Sequence, residues 1–571
     1  MSNPQLAMTI RPETVDDFTY GLDLKSSPAK MPLGGAHNLV NFHPRHFGLE
    51  RKLGYHLVST GVQGAEAGEL APTRETFGIG TEVGQNTEFA IEPGQDVITR
   101  ETFGAPPASA TLHGAFRRRD SHTGALQVYI ALGVNLYVLE YLDGSWENTL
   151  LTDNSDPVDP AVDIGRPLRL FTEAEALERY RAERTVSFVW FRNELWIARK
   201  GFRMKRYRPD TNLFYNAPEN APRPGVLTTY EGFLMAADLG EFSYPDGDDT
   251  INVPDDPNGI RWSKRFDGDE WDDTVSITAG YKIPSQCQSR ILATCATSDE
   301  LIFFHEDEIQ AQRFVGGVEI FRTRTITTET GVFSGKSLVC SLEQVLFLGK
   351  DNIYLLADGT VIPVDTDRKV RDEIFKLPLE ALRKSVAYYD RRNEDIHWYF
   401  PTRAPVVYVF NLPYTNWTNL SFDNRFFGRF PVLFINIPLT PQNNFHYLGA
   451  DGSIYDVRQD DNTEGGADFL SVAEFLTDLG TRQKKILYEI ELSVEGSGTL
   501  KVGYATPNNS EVEDLQRIYT EVEVTISENN HLEVPSVQCT GAQGRFIAIK
   551  LETSDNLLIR SFSLKYDLEG L

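Results

Sequence analysis

A short pattern of two strands around a polar turn recurs along the middle of the chain. It constrains the fold more than any other feature of the sequence. Each instance is an apolar segment, a turn rich in Asn, Asp, Glu or Gly, and a second apolar segment with a large apolar residue near its start. Such segments with tight polar turns are typical of antiparallel hairpins. The instances are residues 128–139, 186–198, 291–304, 345–356, 385–400 and 445–457.

The spacing of these hairpins predicts a β-propeller. Most gaps between equivalent positions are 44 to 59 residues, and repeats of ~40–50 residues with a few short strands each are typical of propeller blades. One gap of 106 residues, from Trp196 to Ile302, leaves room for a further unit, which residues 233–237 and 260–262 fill weakly. Because one blade cannot bury both of its faces, blades stack on each other. We therefore predict a mainly β chain with about six to eight blades.

The rest of the chain divides into segments around this propeller. Residues 1–60 contain prolines and glycines that interrupt regular elements, which predicts an N-terminal extended arm joining the propeller. Residues 61–110 are interpreted as an inserted loop or hairpin subdomain. The propeller is expected over residues 111–465, with an insertion near 240–285. Short alternating strands over residues 466–571 predict a C-terminal β-sandwich-like domain.

Composition narrows the class of function. The 571 residues include 82 Asp and Glu against 55 Lys and Arg, a net charge of −27, which argues against a surface that grips nucleic acid. The N-terminus shows no secretory signal and no stretch of ~18 apolar residues occurs, so we expect no membrane insertion and a cytosol-like place of synthesis. Four scattered cysteines predict buried thiols rather than a disulfide scaffold or a zinc site.

One basic segment stands out against this acidic background. Cationic residues alternate with aromatic and apolar ones between positions 200 and 208, an arrangement that suits either a nucleic-acid backbone or an acidic partner subunit. We favour the protein interface. The candidate interface residues are Lys200, Arg203, Lys205, Arg206 and Arg208.

Other groups of residues give weaker indications of a functional site. Two acidic clusters, at residues 246–256 and 267–273, are interpreted as solvated loops, with Ca²⁺ binding as the alternative. His43 and His46 flank Pro44, so we expect ordinary loop histidines rather than metal ligands. Four tryptophans are expected in the core more readily than stacked on sugars: Trp262, Trp271, Trp398 and Trp417.

Short sequence motifs that follow one another in a fixed order over most of residues 20–460 resemble those of a known family. They occupy residues 21–24, 27–28, 34–36, 39–41, 51–55, 260–263, 271, 300–304, 308–310, 331–338, 345–349, 352–354, 408–411 and 417. This order is similar to that of the tail tubular or tail nozzle proteins of short-tailed bacteriophages, which are related in role to packaged-DNA stabilisation proteins. The chain departs from the family at residues 329–332, where Glu-Thr-Gly-Val replaces Gly-Cys, and segment 61–110 has no counterpart there.

The resemblance implies a structural subunit, with no enzyme activity, no catalytic residues and no cofactor. It implies a homo-oligomer, expected to be a hexameric ring, that continues the DNA channel of the virion tail, retains packaged DNA and opens for ejection. The implied partners are the portal-adaptor ring, tail fibre or spike proteins, and duplex DNA as a transient passenger. The subunit would be made in the cytoplasm of the bacterial host. Surplus carboxylates facing such a channel would repel phosphates and keep DNA from adhering.

Two alternatives remain open from the sequence. One is a propeller-type polysaccharide-degrading or carbohydrate-binding protein, since residues 267–271 faintly resemble the Asp-box of sialidase propellers. The other is a cytosolic propeller scaffold for proteins. The absence of repeated Asp-boxes counts against the first alternative, and the ordered sequence motifs count against the second.

Overall fold

The recurring hairpins form antiparallel sheets in a computed structural model of the chain. The structure describes residues 11–26, 31–32, 34–52, 54–59, 112–120, 123–133, 135–142, 145–152, 164–165, 170, 186–246, 249–282, 289–317, 319–340, 344–390, 394–401, 406–413, 415–421, 431–436, 445–449, 454–458, 463–464, 467–508, 519–527 and 535–569. Almost all regular structure in these residues is β, which confirms the predicted mainly β class. The segment predicted as an inserted subdomain, 61–110, lies outside the described residues.

The strands are numbered in chain order. The first group is β1 (Arg11–Val15), β2 (Gly21–Leu22), β3 (Gly35–Val40), β4 (Phe42–Arg45), β5 (Gly48–Arg51) and β6 (Gly54–Ser59). The second group is β7 (Leu112–Arg119), β8 (Leu126–Leu132), β9 (Asn135–Leu142), β10 (Ser145–Leu150), β11 (Ile164–Gly165), β12 (Ser187–Phe191), β13 (Glu194–Ala198), β14 (Lys205–Arg208), β15 (Leu213–Asn216), β16 (Arg223–Tyr230), β17 (Phe233–Gly240), β18 (Phe242–Asp246), β19 (Asp249–Val253), β20 (Asp256–Trp262), β21 (Gly280–Lys282), β22 (Ile291–Ala296), β23 (Leu301–His305), β24 (Ile309–Phe314), β25 (Phe321–Thr327), β26 (Leu338–Cys340), β27 (Gln344–Leu348), β28 (Ile353–Ala357) and β29 (Thr360–Pro363).

The remaining elements include the two described helices. These are α1 (Arg371–Ile374) and α2 (Leu379–Arg383). The third group of strands is β30 (Val386–Asp390), β31 (Asp395–Phe400), β32 (Val406–Asn411), β33 (Asn416–Ser421), β34 (Pro431–Asn436), β35 (Phe445–Gly449), β36 (Ile454–Arg458), β37 (Thr463–Glu464), β38 (Ala467–Asp468), β39 (Ser471–Thr477), β40 (Lys485–Gly496), β41 (Gly498–Ala505), β42 (Thr520–Ile526), β43 (Ser536–Gly544), β44 (Ile547–Thr553) and β45 (Leu557–Leu568). Neither helix is long or apolar enough to cross a membrane.

The chain divides into two compact units. The first unit combines Met1–His56, Pro363–Arg425 and Val457–Leu571. The second unit combines Leu57–Ile362 and Phe426–Asp456.

The second unit is built from propeller blades. Five successive antiparallel sheets are centred on β7–β10, β12–β15, β16–β17–β20–β21, β22–β25 and β26–β29, and we number them as the first to fifth blades. A sixth sheet joins β34–β36 to β6, so strands from both ends of this unit share one sheet. The weak repeat inferred from residues 233–237 and 260–262 is the third blade, in which Met235 is paired with Trp262 and Ala237 with Ile260.

Consecutive blades share hydrophobic cores. Tyr129 and Leu136 of the first blade pack with Leu195 of the second, and Phe304 of the fourth blade contacts Phe347 of the fifth at 5.4 Å between ring centroids. Leu448 of the sixth sheet packs in a cluster with residues of the first blade. These shared cores follow from the hairpin pattern, in which each sheet is apolar on both faces and needs a neighbour on each. The predicted propeller fold is confirmed.

The first unit contains the predicted sandwich. A six-stranded sheet with the order β4–β5–β45–β40–β43, with β1 paired to β45, faces a ten-stranded sheet that contains β39, β44, β41 and β42. Between them, Phe475 of β39 and Phe562 of β45 lie 5.2 Å apart by ring centroid, and Phe18 contacts both rings. Alternating burial along β40 and β45 explains why the C-terminal alternation in the sequence predicts this sandwich.

Two parts of the chain lie in the first unit, although the sequence placed them with the propeller. The N-terminal arm supplies β1, β4 and β5 to one sandwich sheet and β3 to the other, where β3 pairs with β39. Strands β30–β33, which include the hairpin of residues 385–400, continue the ten-stranded sheet through the pairing of Val40 with Asn419. The physical reason is that a hairpin meander has the same local pattern in a blade and in a sandwich, and edge pairing decides between them.

Candidate interface around the basic segment

The basic segment leaves β13 and runs to the end of β14 in the second blade. Lys205, Arg206 and Arg208 lie on β14, while Lys200 and Arg203 lie in the connection before it. Because side chains alternate along a strand, Arg206 and Arg208 share one face, and Tyr207 points into the core on the other. The structure therefore places all five predicted residues in one blade, and their surroundings decide what each can do.

Lys200 is buried in an ion-pair network rather than exposed to a partner. Its Nζ lies 2.8 Å from Oδ1 of Asp238 and 3.1 Å from Oδ1 of Asp255. Asp238 is fully buried and also accepts hydrogen bonds from Arg290, whose Nη2 is 2.8 Å from Oδ2. Lys200, Asp238 and Arg290 come from or adjoin the second, third and fourth blades, so this network ties three successive blades together.

Asp238 occupies an unusual place in β17. Its φ is +53°, and the pairing of β17 with β20 shifts register between Ala237 and Leu239. A β-bulge of this kind turns a side chain away from its regular direction. Gly225 on the neighbouring strand leaves room for the carboxylate, since a Cβ there would lie 2.2 Å from Oδ2 of Asp238. The bulge thus aims one carboxylate at two cations.

Arg206 and Arg208 are engaged by carboxylates of the same chain. Nη1 of Arg206 lies 2.6 Å from Oδ2 of Asp269, and Nε of Arg208 donates a hydrogen bond to Glu194, which raises the pKa of Arg208. Both guanidinium groups lie over the ring of Tyr215, at 5.2 and 4.8 Å from its centroid. These contacts neutralise much of the positive charge that the sequence displays at this point.

The last two basic residues bind backbone oxygens. Nζ of Lys205 donates to the carbonyl of Leu170 at 2.7 Å, and Nε of Arg203 donates to the carbonyl of Ala217 at 2.6 Å. The side chains of Arg203 and Arg208 are 31% and 39% exposed, whereas those of Lys200 and Arg206 are 9% and 16% exposed. Arg203 and Arg208 therefore reach solvent more than Lys200 and Arg206 do.

The second acidic cluster is a structural partner of the basic segment. Asp269 pairs with Arg206, and Oδ2 of Asp267 lies 3.5 Å from Nζ of Lys264. Among the described residues, no group of three or more His, Cys, Asp or Glu side chains is arranged to hold a metal ion. Residues 247–248 of the first cluster lie outside the described part of the chain.

The structure also shows how far the tryptophans, histidines and cysteines considered from the sequence are buried. The four tryptophans considered for sugar stacking are between 0% and 7% exposed, so they are core residues. His43 lies 3.4 Å from a carboxylate oxygen of Asp395 and belongs to a buried network, whereas His46 is exposed. Cys295 and Cys539 are buried thiols, Cys340 is exposed, and Cys287 lies outside the described residues.

The sequence reasoning missed two features of this region. One is the bridging role of Asp238 and Arg290, which no local spacing reveals because the pair is 52 residues apart. The other is a loop that exposes Val275 and Ile277. The signal for the loop was present, since two branched apolar residues stand in a polar stretch, Thr-Val-Ser-Ile-Thr, that fits no strand of a blade.

Comparison with known proteins finds similarity to solved structures at low sequence identity. No protein-family model and no curated protein matches it. Among solved structures, it is similar to YCF48 bound to D1 peptide, at 12% identity and a TM-score of 0.33, over 61% of this chain and 92% of that one. It is also similar to the N-terminal domain of Nup159, at 11% identity and a TM-score of 0.32, over 61% of this chain and 89% of that one.

Proposed function

We propose that this protein is a structural subunit of the tail nozzle or hub of a short-tailed bacteriophage. In this proposal it forms a homo-oligomeric ring, expected to be a hexamer, that continues the DNA channel, retains packaged DNA and opens for ejection. Its neighbours are the portal-adaptor ring and tail fibre or spike proteins, and duplex DNA passes through as a transient passenger. It resides in the virion tail after synthesis in the bacterial host cytoplasm, and it has no enzyme activity.

The observation that carries the proposal is the internal neutralisation of the basic segment. Lys200, Arg206 and Arg208 are held by Asp238, Asp269 and Glu194, so the cations that would grip phosphates are engaged within the chain. The chain keeps its net charge of −27. A surface of this kind repels a DNA backbone, which suits a conduit better than a DNA-binding protein. The ordered resemblance described above supports the same role.

The carbohydrate alternative receives less support from the site. Trp271, which belongs to the Asp-box-like residues 267–271, is 1% exposed, and the nearby Trp262 is 7% exposed, so neither presents a stacking face. The propeller remains a common scaffold for many functions, so the fold by itself favours neither reading. The test of function must therefore measure assembly and glycan cleavage side by side.

Assembly of the purified full chain tests the proposal directly. We expect mass photometry, with and without the adaptor ring, to show a particle of six times the 64.3 kDa subunit mass. Negative-stain images should show a central bore about as wide as duplex DNA. A strict monomer that degrades host capsular glycan would overturn the nozzle proposal.

The interface hypothesis needs variants that leave the buried network of Lys200, Asp238 and Arg290 intact. Because Arg203 and Arg208 are more exposed than Lys200 and Arg206, Arg203→Glu with Arg208→Gln, which adds no carboxylate beside Glu194, should weaken ring assembly or adaptor attachment. Lys200→Glu is unsuitable because it would place a third carboxylate beside Asp238 and Asp255. If the double variant folds, forms rings and attaches to the adaptor as the wild type does, the basic segment is not an interface.

A further inference from the structure

Exposed apolar side chains concentrate along the chain between β19 and β21, a stretch that includes the loop joining β20 to β21 of the third blade. Of the eleven large hydrophobic residues that are exposed in the described part of the chain, five fall between positions 251 and 281. Val275 is 71% exposed and Ile277 is 93% exposed. Grouped exposed apolar residues usually mark an interaction site. The five are Ile251, Phe266, Val275, Ile277 and Tyr281.

The loop that carries Val275 and Ile277 is fixed to the blade. Nε1 of Trp262 donates to the carbonyl of Thr278 at 3.0 Å, and Nη2 of Arg261 donates to the carbonyl of Trp271 at 3.0 Å. The two aliphatic side chains are therefore presented by a braced turn and are not exposed through fraying of a chain end. A surface that is already ordered loses less conformational entropy when a partner binds.

Acidic side chains surround this apolar loop. Hydrogen bonds from Thr274 hold the pKa of Asp272 below its ordinary value, so this half-buried carboxylate is charged at neutral pH, and the neighbouring Asp273 is exposed. Burial lowers the pKa of the Arg261 guanidinium, and the charges of Asp272 and Asp273 act in the opposite direction. Tyr244 and Tyr281 also interact electrostatically with this guanidinium. Residues 241–282 contain eleven Asp and Glu against four Lys and Arg. The field around the loop is negative.

We infer that this surface docks a segment of a partner protein in which Lys or Arg side chains flank apolar side chains. We call it the third-blade patch and define it by Asp272, Asp273, Val275, Ile277 and Tyr281. The apolar loop would enter the partner's apolar surface while the carboxylates meet its cations. A second copy of this chain docked through the same patch would oppose two negative fields, which disfavours that occupant.

The docking itself does not depend on the proposed function. Only the identification of the partner as a neighbouring tail component rests on that proposal. The two can fail separately, because peptide binding to the patch and assembly into a ring are different measurements on the same purified protein. Both are therefore made on the same samples.

Fluorescence anisotropy of labelled peptides with the full-length chain tests the patch. The probe is a short peptide of Lys and Leu residues, with one control peptide carrying Glu in place of Lys and another carrying Ser in place of Leu. The protein variants are Val275→Ser with Ile277→Ser, and Asp272→Asn with Asp273→Asn. The matched control is Ile362→Ser, which removes an aliphatic side chain of 49% exposure from β29 in the fifth blade.

We expect only the Lys–Leu peptide to bind, with affinity falling several-fold between about 50 and 200 mM salt as the charges are screened. The Val275–Ile277 double variant should lose about tenfold in affinity, because two aliphatic side chains leave the contact. The Asp272–Asp273 double variant should lose affinity and most of the salt dependence, and Ile362→Ser should bind as the wild type does.

Several results would overturn the inference. They are no binding of the Lys–Leu peptide, equal binding of the Glu–Leu peptide, or unchanged affinity in the Val275–Ile277 double variant. Loss of a dimer or ring in that variant would assign the patch to a second copy instead and would also overturn it. Peptide binding by a protein that never forms rings would support the patch and refute the nozzle proposal.

Discussion

Replacement of His397 by phenylalanine should remove part of the acid sensitivity of the first unit. His397 lies on β31 with its ring 6.2 Å from Tyr399 and 6.4 Å from His43 by centroid. Neither ring nitrogen has a hydrogen-bond partner in the described residues. Burial, the largest effect, lowers the pKa of His397 from 6.5 to about 4. The nearby charges of Asp395 and Arg45 act in opposite directions and do not reverse it.

The sign and size of the effect follow from linkage. The folded pKa lies below the unfolded one, so between pH 6.5 and about 4 the unfolded state binds the proton more readily. Stability from neutral His397 is thus fully present above pH 6.5 and is lost as the pH falls through this window. The difference corresponds to about 3 kcal/mol, since one pKa unit equals about 1.36 kcal/mol. Asp395 has a pKa far below its ordinary value, so it stays charged throughout.

Urea unfolding followed by tryptophan fluorescence measures this, because Trp398 and Trp417 are buried in the same unit with ring centroids 6.0 Å apart. From pH 7.5 to 4.5 the wild type should lose about 2–3 kcal/mol more than His397→Phe, because pH 4.5 lies just above the folded pKa. At pH 7.5 the variant should gain about 1 kcal/mol, since it removes buried nitrogens without partners. His46→Phe, at an exposed histidine of the same unit, controls for the loss of a histidine.

Parallel curves for the wild type and His397→Phe across this pH range would refute the reasoning. If the larger ring itself destabilises the protein at pH 7.5, His397→Leu provides the same test without a six-membered ring. The pH dependence of the difference, rather than the absolute stability, carries the conclusion. Both variants must therefore be compared with the wild type at each pH.

Three further substitutions test the packing and ion pairs described above. Asp395→Ala should cost about 3–5 kcal/mol in urea unfolding, because it leaves the buried guanidinium of Arg45 without its carboxylate at 2.9 Å; a cost below 1 kcal/mol would contradict this. Gly225→Ala should cost about 1–3 kcal/mol, since its Cβ would meet the Asp238 carboxylate at 2.2 Å, and unchanged thermal unfolding would show that the bulge relaxes freely. Trp398→Ala should cost about 3–5 kcal/mol as a fully buried ring is removed, and near-wild-type stability in the same assay would argue against the described core.

The blades were largely predictable because their information is local. A stretch of about 12 residues is enough to specify a hairpin with apolar strands and a polar turn. Adjacent strands of a blade correspond to each of the predicted hairpins at 128–139, 186–198, 291–304 and 345–356. Even the weak third unit was found from its pattern. The hairpin at 385–400 folds as an antiparallel pair too, but lies in the first unit. Its place depends on the pairing of β33 with β3, which is contributed by residues almost 380 positions away.

The site illustrates the same limit more sharply, because charge in a sequence says nothing about how it is compensated in space. The residues from Lys200 to Arg208 are recognisable in the sequence as a cationic segment. However, Lys200 pairs with Asp238, which is 38 residues away, and Arg206 pairs with Asp269, which is 63 residues away. The first pairing depends on a strand of the neighbouring blade and the second on a loop of that blade, so no local sequence motif predicts either of them. A partner that approaches this region therefore meets a mostly neutralised segment, and the strongest remaining features are the carboxylates and aliphatic side chains around Ile277. Substitution of Arg203 and Arg208 and substitution of Val275 and Ile277 consequently test different surfaces, and only their separate outcomes can show which of them a partner contacts.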